Sequence, residues 1–151
     1  MESVLTMSKT YFAGDSAADN AALKELAEAS ELRSTLPEWF TPTTISGEVL
    51  RVADCDALHT WVVEHCLYGC DNYSSRDVYI SYSTLKRLRD AIDAAVIAIS
   101  KASVQWPEAV VFVGSSDYVE QLKGILKVLD AISEIPQAWK FGFSYRAIWP
   151  E

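Results

Sequence analysis

The residues with the clearest chemical potential lie close together in the middle of the chain: Cys55, His59, Cys66 and Cys70. Cys55 and His59 are four residues apart, so on a helix they share one side and the imidazole could accept the proton of the thiol. Thiolates and imidazoles are also the ligands that zinc prefers. These residue types therefore raise three interpretations: a cysteine nucleophile, a zinc site, and a histidine that belongs to the protein core.

The surrounding sequence weighs against the nucleophile and the zinc site. The chain contains no Cys-x-x-Cys pair, and His65 projects to a different side of a helix from His59. Asp54, Asp56 and Glu64 place negative charge around the cysteine, whereas activation of a thiol requires a positive setting. We therefore expect no metal, no cofactor and no catalytic residue, and a buried His59 that is hydrogen-bonded to a backbone carbonyl or a carboxylate.

A polar site remains the alternative interpretation of the same stretch. Histidine changes its charge near neutral pH, and His59, Cys55 and Trp61 would be the residues that form such a site. This alternative describes an enzyme or a small-ligand-binding protein centred on His59. It requires a pocket that converges on the imidazole.

Three predicted helices and the turns between them would position these residues. The first covers about Ala53–Tyr68, carries Cys55 and His59, and is expected to end at Gly69. Two amphipathic helices follow, the first capped by Ser83 and the second beginning after a Gly-Ser-Ser-Asp turn. Their apolar stripes consist of Leu85, Leu88, Ile92, Ala95, Val96 and Ile99 in the first and of Tyr118, Leu122, Ile125, Leu126, Leu129 and Ile132 in the second.

Short strands are predicted around Thr10–Ala13, Glu48–Arg51 and Val78–Ile80, and a longer one over residues 139–149. The longest strand has an apolar face formed by alternate residues, namely Trp139, Phe141, Phe143, Tyr145, Ala147 and Trp149. The apolar run Val110–Val113 is typical of either a strand or a connector. A further helix over residues 16–33 precedes a loop over 34–47.

These elements predict an α+β fold in which about four helices pack on a small, mainly antiparallel sheet. Residues 1–151 are expected to form a single domain, with residues 16–42 as an insertion or extension. The predicted core comprises Leu88, Ile92, Val96, Leu122, Ile125, Leu129, Phe141 and Phe143.

Negative charge dominates the composition and is unevenly distributed. The formal net charge is −8, and residues 1–60 hold ten acids against four Lys and Arg, compared with eleven against nine in residues 61–151. Such a surface repels phosphates, so we expect no direct binding of nucleic acid. It would attract a basic protein surface, although acids that only keep the protein in solution remain the simpler interpretation.

The cysteine count and the apolar runs indicate the compartment. The chain has three cysteines, an odd number, and its first 13 residues do not have the pattern of a secretion signal. The apolar run at residues 94–99 is far shorter than the roughly 20 residues that span a membrane. We therefore expect a cytoplasmic protein that does not associate with membranes and is a monomer or a weak homodimer.

Several short stretches together resemble a family of small phage and prophage proteins that carry a pattern close to W-R-K-A-N…I-H-x-W-F-V. The matching stretches are EVLRVA at 48–53, LHTWVV at 58–63, the Asp71-Asn72 turn, VYISYS at 78–83, FVGSSDY at 112–118, Phe143-Ser144-Tyr145 and Ile148-Trp149, with a weaker echo at 7–13. The resemblance covers about residues 45–149. The chain departs from the pattern at three positions: Leu50 replaces the Trp, Val52 a Lys and Val62 the Phe.

The family has no established chemistry, so the resemblance implies a phage context and a bacterial host cell. Combined with the acidic charge, it favours an accessory protein that binds and inhibits a host protein, most concretely an anti-CRISPR-type inhibitor of a nucleic-acid-binding defence effector. We name four residues of the N-terminal third, which are predicted to contact that partner, the acidic segment: Glu25, Glu28, Glu31 and Glu38. The other interpretations are the His59-centred enzyme or ligand-binding protein and a structural or packaging component of the virion.

Overall fold

The computed structural model describes residues 1–10, 17–29, 44–67, 69, 77–105 and 116–150. In chain order its elements are strand β1 (Glu2–Thr10), helix α1 (Ala17–Ala29), strand β2 (Thr44–Ala53), helix α2 (Asp56–Cys66), strand β3 (Val78–Ile80), helix α3 (Tyr82–Gln105), helix α4 (Ser116–Ser133), a 3-10 turn (Ala138–Lys140) and strand β4 (Gly142–Ile148). This arrangement confirms the predicted α+β class, with four helices and an antiparallel sheet of four strands among the described residues.

The four strands form one sheet in the order β2-β1-β4-β3. Val78 pairs with Tyr145 and Ile80 pairs with Phe143 across the antiparallel β3–β4 ladder. All four of these side chains are buried, whereas the intervening Tyr79 is 71% exposed. The period-two alternation of strand side chains therefore places one face of the sheet in the core and the other in solvent.

The helices supply the second layer of the core. The predicted stripes of α3 and α4 are confirmed at the positions that are most deeply buried: Leu85, Leu88, Ile92, Leu122, Ile125, Leu129 and Ile132. Val96 and Phe141, which were predicted to lie in the core, are only partly buried and pack against it. The described helices include none that is both long and apolar enough to cross a membrane.

Three predicted element boundaries are wrong. The first strand begins at Glu2 instead of Thr10, and β2 begins at Thr44, inside the stretch predicted as a loop. Helix α2 is shorter than Ala53–Tyr68, since Asp54 has a φ of 50° and Cys55 is the residue that precedes the first turn. Residues 11–16 and the apolar run Val110–Val113 lie outside the described residues.

The start of α3 also differs from the prediction. The backbone N–H of Thr84 donates to the Oγ of Ser81 over 3.2 Å, so Ser81 caps the helix in place of Ser83. At the other end of the chain, the predicted strand over 139–149 begins only at Gly142. Gln137 has a φ of 55° and leads into the 3-10 turn, which leaves Trp139 65% exposed instead of on the apolar face.

Two compact units make up the chain. One consists of Met1–Met7 and Glu48–Glu151, and the other consists of Ser8–Gly47. The segment 16–42, which was predicted as an insertion, falls within the second unit, whereas α2, α3, α4, β3 and β4 belong to the first.

Candidate functional site

Helix α2 carries His59 and Trp61 of the candidate polar site, Cys55 directly precedes the helix, and contacts at its N-terminus hold it in place. The N-terminal ammonium of Met1 donates to Asp54 over 3.0 Å, and the Asp54 backbone N–H donates to the Met1 carbonyl over 2.8 Å. The side-chain amide of Gln121 on α4 donates to the carbonyl of Ala53 over 2.6 Å. The beginning of α2 is therefore attached to both the sheet and the neighbouring helix.

Cys55 is fully buried at the start of α2. Burial raises the pKa of its thiol, and the charge of Asp56 raises it further. Burial likewise raises the pKa of the Cys66 thiol, which is partly buried at the other end of the helix. Because the thiolate is the nucleophilic form, both environments favour the unreactive thiol. Cys55 and Cys66 therefore pack as small apolar side chains.

His59 belongs to a buried chain of hydrogen bonds that joins three elements. Its Nδ1 lies 2.9 Å from the hydroxyl of Tyr145 on β4, and this hydroxyl lies 2.9 Å from the Oγ of Ser3 on β1. His59 is 9% exposed, and Ser3 and Tyr145 are more deeply buried. The expected burial of His59 is thus observed, and the hydroxyl of Tyr145 lies at hydrogen-bond distance from its Nδ1.

Trp149 covers the outer side of the imidazole. Its ring lies edge-on to that of His59, with centroids 5.6 Å apart and an interplanar angle of 88°. The indole itself is half exposed. Trp149 therefore packs against His59 in an edge-to-face ring pair while much of the indole remains in solvent.

Trp61 projects from a different side of α2 than His59, since two residues on a helix are about 200° apart. Its ring stacks on that of His65 with a centroid separation of 4.1 Å, and the Nδ1–H of His65 donates to the Trp61 carbonyl over 2.9 Å. Trp61 also lines a cavity between α2, α3 and α4, whereas His59 is absent from the lining. The structure therefore separates Trp61 from the Cys55–His59 stripe.

Within the described part of the chain, no three His, Cys, Asp or Glu side chains converge in a way that could hold a metal ion. Cys70, the fourth member of the cluster considered from the sequence, lies outside the described residues. Cys55 and Cys66 are both free thiols.

The acidic segment is only partly described. Glu25 is exposed on α1, and Glu28 lies in the last turn of the same helix. Glu31 and Glu38 lie outside the described residues. Sequence order therefore places Glu25 and Glu28 on one helix, three residues apart.

Three arginines of the larger unit form ion pairs with nearby carboxylates, which cancel their positive charge. Arg51 contacts Glu2 and Glu48, and these hydrogen bonds lower the pKa of the Glu48 carboxyl and raise that of the guanidinium. Arg146 binds both carboxylate oxygens of Asp77 at 2.8 Å.

Arg89 forms such contacts both within its own helix and with a neighbouring helix. Its Nε donates to Asp130 on α4 over 2.7 Å, and Asp90 and Asp93 on its own helix lie within 3.6 Å of the same guanidinium. Surface pairs of this kind contribute about 0–1 kcal/mol each, so their main effect is to cancel positive charge locally.

Ser3 and Tyr145 belong to the hydrogen-bond chain around His59, and the sequence interpretation did not place them there. One feature of the sequence indicated this contact: Tyr145 is one of the alternate residues that form the apolar face of β4. A tyrosine on such a face requires a polar partner for its hydroxyl, and His59 and Ser3 supply it.

Comparison with known proteins found no match to this chain among family models, curated proteins or solved structures.

Proposed function

We propose that this protein is a phage-encoded accessory protein that binds and inhibits a host protein through negative charge on its N-terminal third. In its most concrete form, the partner is a nucleic-acid-binding defence effector, and the acidic segment occupies the basic surface where nucleic acid would bind. The phage context is supported by the sequence resemblance, and the mode of binding is supported by the charge.

The observation that carries the proposal is the placement of acids in α1. Glu25 is exposed, and Glu28 follows it in the last turn, which contains no basic residue. The C-terminal end of a helix dipole favours cations and disfavours anions by about 0.3–1 kcal/mol. The helix dipole therefore does not favour an acid at Glu28, which supports a role for this acid in attracting a basic partner.

The net charge of the whole chain supports the same interpretation. The 21 acids exceed the 13 Lys and Arg by eight. Three arginines of the larger unit, Arg51, Arg89 and Arg146, are already paired with carboxylates. Those pairs leave the excess negative charge uncompensated, and an excess of one sign accelerates association with a surface of the opposite sign.

Capture from a bacterial lysate tests the binding part of the proposal. The bait variant Glu25→Lys, Glu28→Lys, Glu31→Lys changes the net charge from −8 to −2. A matched control makes the same change at three exposed acids of α3, α4 and the segment after α4: Asp90, Glu120 and Glu134. We expect the wild type and the control to enrich the same nucleic-acid-binding protein in quantitative mass spectrometry, and the first variant to lose it. Equal capture by both variants would contradict the assignment to the acidic segment.

Phage plating tests the inhibitory part. The protein is expressed in bacterial strains that each carry one CRISPR–Cas immune system directed against a test phage. We expect plating of that phage to recover in at least one strain with the wild type and the matched control, and to stay suppressed with the acidic-segment variant. Suppression in every strain, with the protein folded and expressed, would contradict an anti-CRISPR role.

A further inference from the structure

The second half of helix α3 is mostly apolar on all sides. Residues 91–99 include one charged side chain, that of Asp93. The inner side of the helix places Ile92 in the core and packs Ile99 against it. The outer side is exposed to solvent although it is apolar too. Because a helix that is apolar all round is normally covered on both sides, the outer side is the one that a partner would cover.

Three exposed residues form this outer surface, which we call the α3 patch: Ala94, Ile97 and Ala98. They are three and four positions apart, so they lie side by side along the helix. Ile97 is the large side chain among them and is 47% exposed. Packed helices lie roughly 8–10 Å apart, depending on the size of the side chains at the contact. The two alanines therefore allow a second helix to approach closely on either side of Ile97.

One charged residue of each sign borders the α3 patch. Asp90 lies four residues before Ala94, Lys101 lies three residues after Ala98, and both are exposed. A rise of about 1.5 Å per residue places the two charges about 16 Å apart on the same side of the helix. The row is therefore negative at one end, apolar in the middle and positive at the other end. An antiparallel copy of the same row reverses this order, so that each charge faces its opposite.

We propose that the α3 patch binds a second copy of this chain, with the two α3 helices packed antiparallel about a two-fold axis. Such an interface is self-complementary, because each contact occurs twice. Asp90 of each copy pairs with Lys101 of the other copy, and Ile97 fits between the alanines of the facing helix. The proposal does not rest on the proposed function, since α3 belongs to the larger unit and the acidic segment does not.

The size of the contact makes this dimer weak. The row is about 16 Å long and a helix with its side chains is about 10 Å wide, so the contact falls far below the ~1,200 Å² of a stable interface. The net charge of −8 on each copy also opposes association. Salt of about 0.15 M limits that repulsion to a range of about 8 Å. Self-association therefore requires concentrations well above micromolar at this ionic strength.

Sedimentation equilibrium from micromolar to millimolar protein, in about 0.15 M NaCl, measures the association. We expect a monomer–dimer equilibrium for the wild type and a monomer for Ile97→Asp. Because Ile97 is exposed, this change should leave the unfolding midpoint in urea nearly unchanged. The matched control is Trp139→Asp, which adds the same charge at another exposed large hydrophobic residue and should leave the dimer intact.

Reversal of the border charges tests the antiparallel pairing. Asp90→Lys and Lys101→Asp each place two pairs of like charge across the interface, so each variant alone should dimerise at least about tenfold more weakly. An equal mixture of the two variants places two opposite pairs there and should form a heterodimer. Asp90→Lys changes the net charge from −8 to −6, so greater overall repulsion does not explain its loss of association. The matched control of the capture experiment contains this substitution, and it should be monomeric and still capture the host protein.

Three results would overturn the proposal: a wild type that stays monomeric at millimolar concentration, equal self-association of Ile97→Asp and the wild type, or a mixture of the charge variants that forms no heterodimer. Dimerisation that Trp139→Asp abolishes would also overturn it, because the second copy would then bind at the 3-10 turn.

Discussion

The hydroxyl of Tyr145 joins β1, β4 and α2, and Tyr145→Phe removes it without changing the ring. The oxygen lies 2.9 Å from both Ser3 Oγ and His59 Nδ1, and Ser3 is only 1% exposed, so water does not replace the lost contact. A hydrogen bond of this kind contributes about 1 kcal/mol, and a sealed polar group left without its partner costs about 1–3 kcal/mol. We expect the free energy of unfolding to fall by about 2–4 kcal/mol.

Urea unfolding, followed by circular dichroism, measures this loss. The matched control is Tyr79→Phe on the adjacent strand, where the exposed hydroxyl is hydrated and the change should stay within about 0.5 kcal/mol. A double-mutant cycle with Ser3→Ala should give a coupling energy of about 0.5–3 kcal/mol. If Tyr145→Phe behaves like Tyr79→Phe, or if the two buried substitutions are simply additive, the hydrogen-bond chain does not stabilise the fold as described.

Three further predictions concern the core, the α3 cap and the thiol. Ile125→Ala should lower the free energy of unfolding by about 2–5 kcal/mol in the same urea assay, because Ile125 is 1% exposed; a loss below 1 kcal/mol would contradict its place in the core. Ser81→Ala should cost about 1 kcal/mol and more than Ser83→Ala, and the reverse order would contradict the assigned cap. Cys55 should react with iodoacetamide far more slowly in the folded protein than in urea, because burial shields the thiol and raises its pKa; peptide mass spectrometry measures the modified fraction, and equal rates would refute its burial.

Sequence periodicity predicted the parts of the fold in which local pattern and burial coincide. Helices α3 and α4 repeat apolar residues at helical spacing over several turns, and β4 alternates at Phe143, Tyr145 and Ala147. These patterns arise because one side of each element contacts the core. Strand β1 was missed because Ser3, one of its buried residues, is polar and interrupts the apolar pattern. Its hydroxyl forms a hydrogen bond with Tyr145, which lies far along the chain.

Tertiary contacts and single backbone conformations account for the other errors. Gln137 has a left-handed backbone conformation and leads into a 3-10 turn. The alternation of strand residues therefore does not extend back to Trp139, which does not share the buried face of Phe143. Tyr145, whose hydroxyl contacts His59, is 86 residues away from it in the chain, and no local pattern identifies this contact. The cavity beside Trp61 likewise depends on how three helices pack, which their separate apolar stripes do not specify.

The rate of association with the captured host protein, measured by biolayer interferometry between 50 and 500 mM NaCl, tests the central claim most directly. Attraction between an acidic surface and a basic partner increases the association rate and is screened by salt, with a Debye length that falls from ~10 Å at 0.1 M to ~3 Å at 1 M. We predict that association of the wild type and of the matched control slows clearly as salt rises. The Glu25→Lys, Glu28→Lys, Glu31→Lys variant should associate slowly at every salt concentration. If this variant associates like the wild type and with the same salt dependence, the acidic segment does not contact the partner.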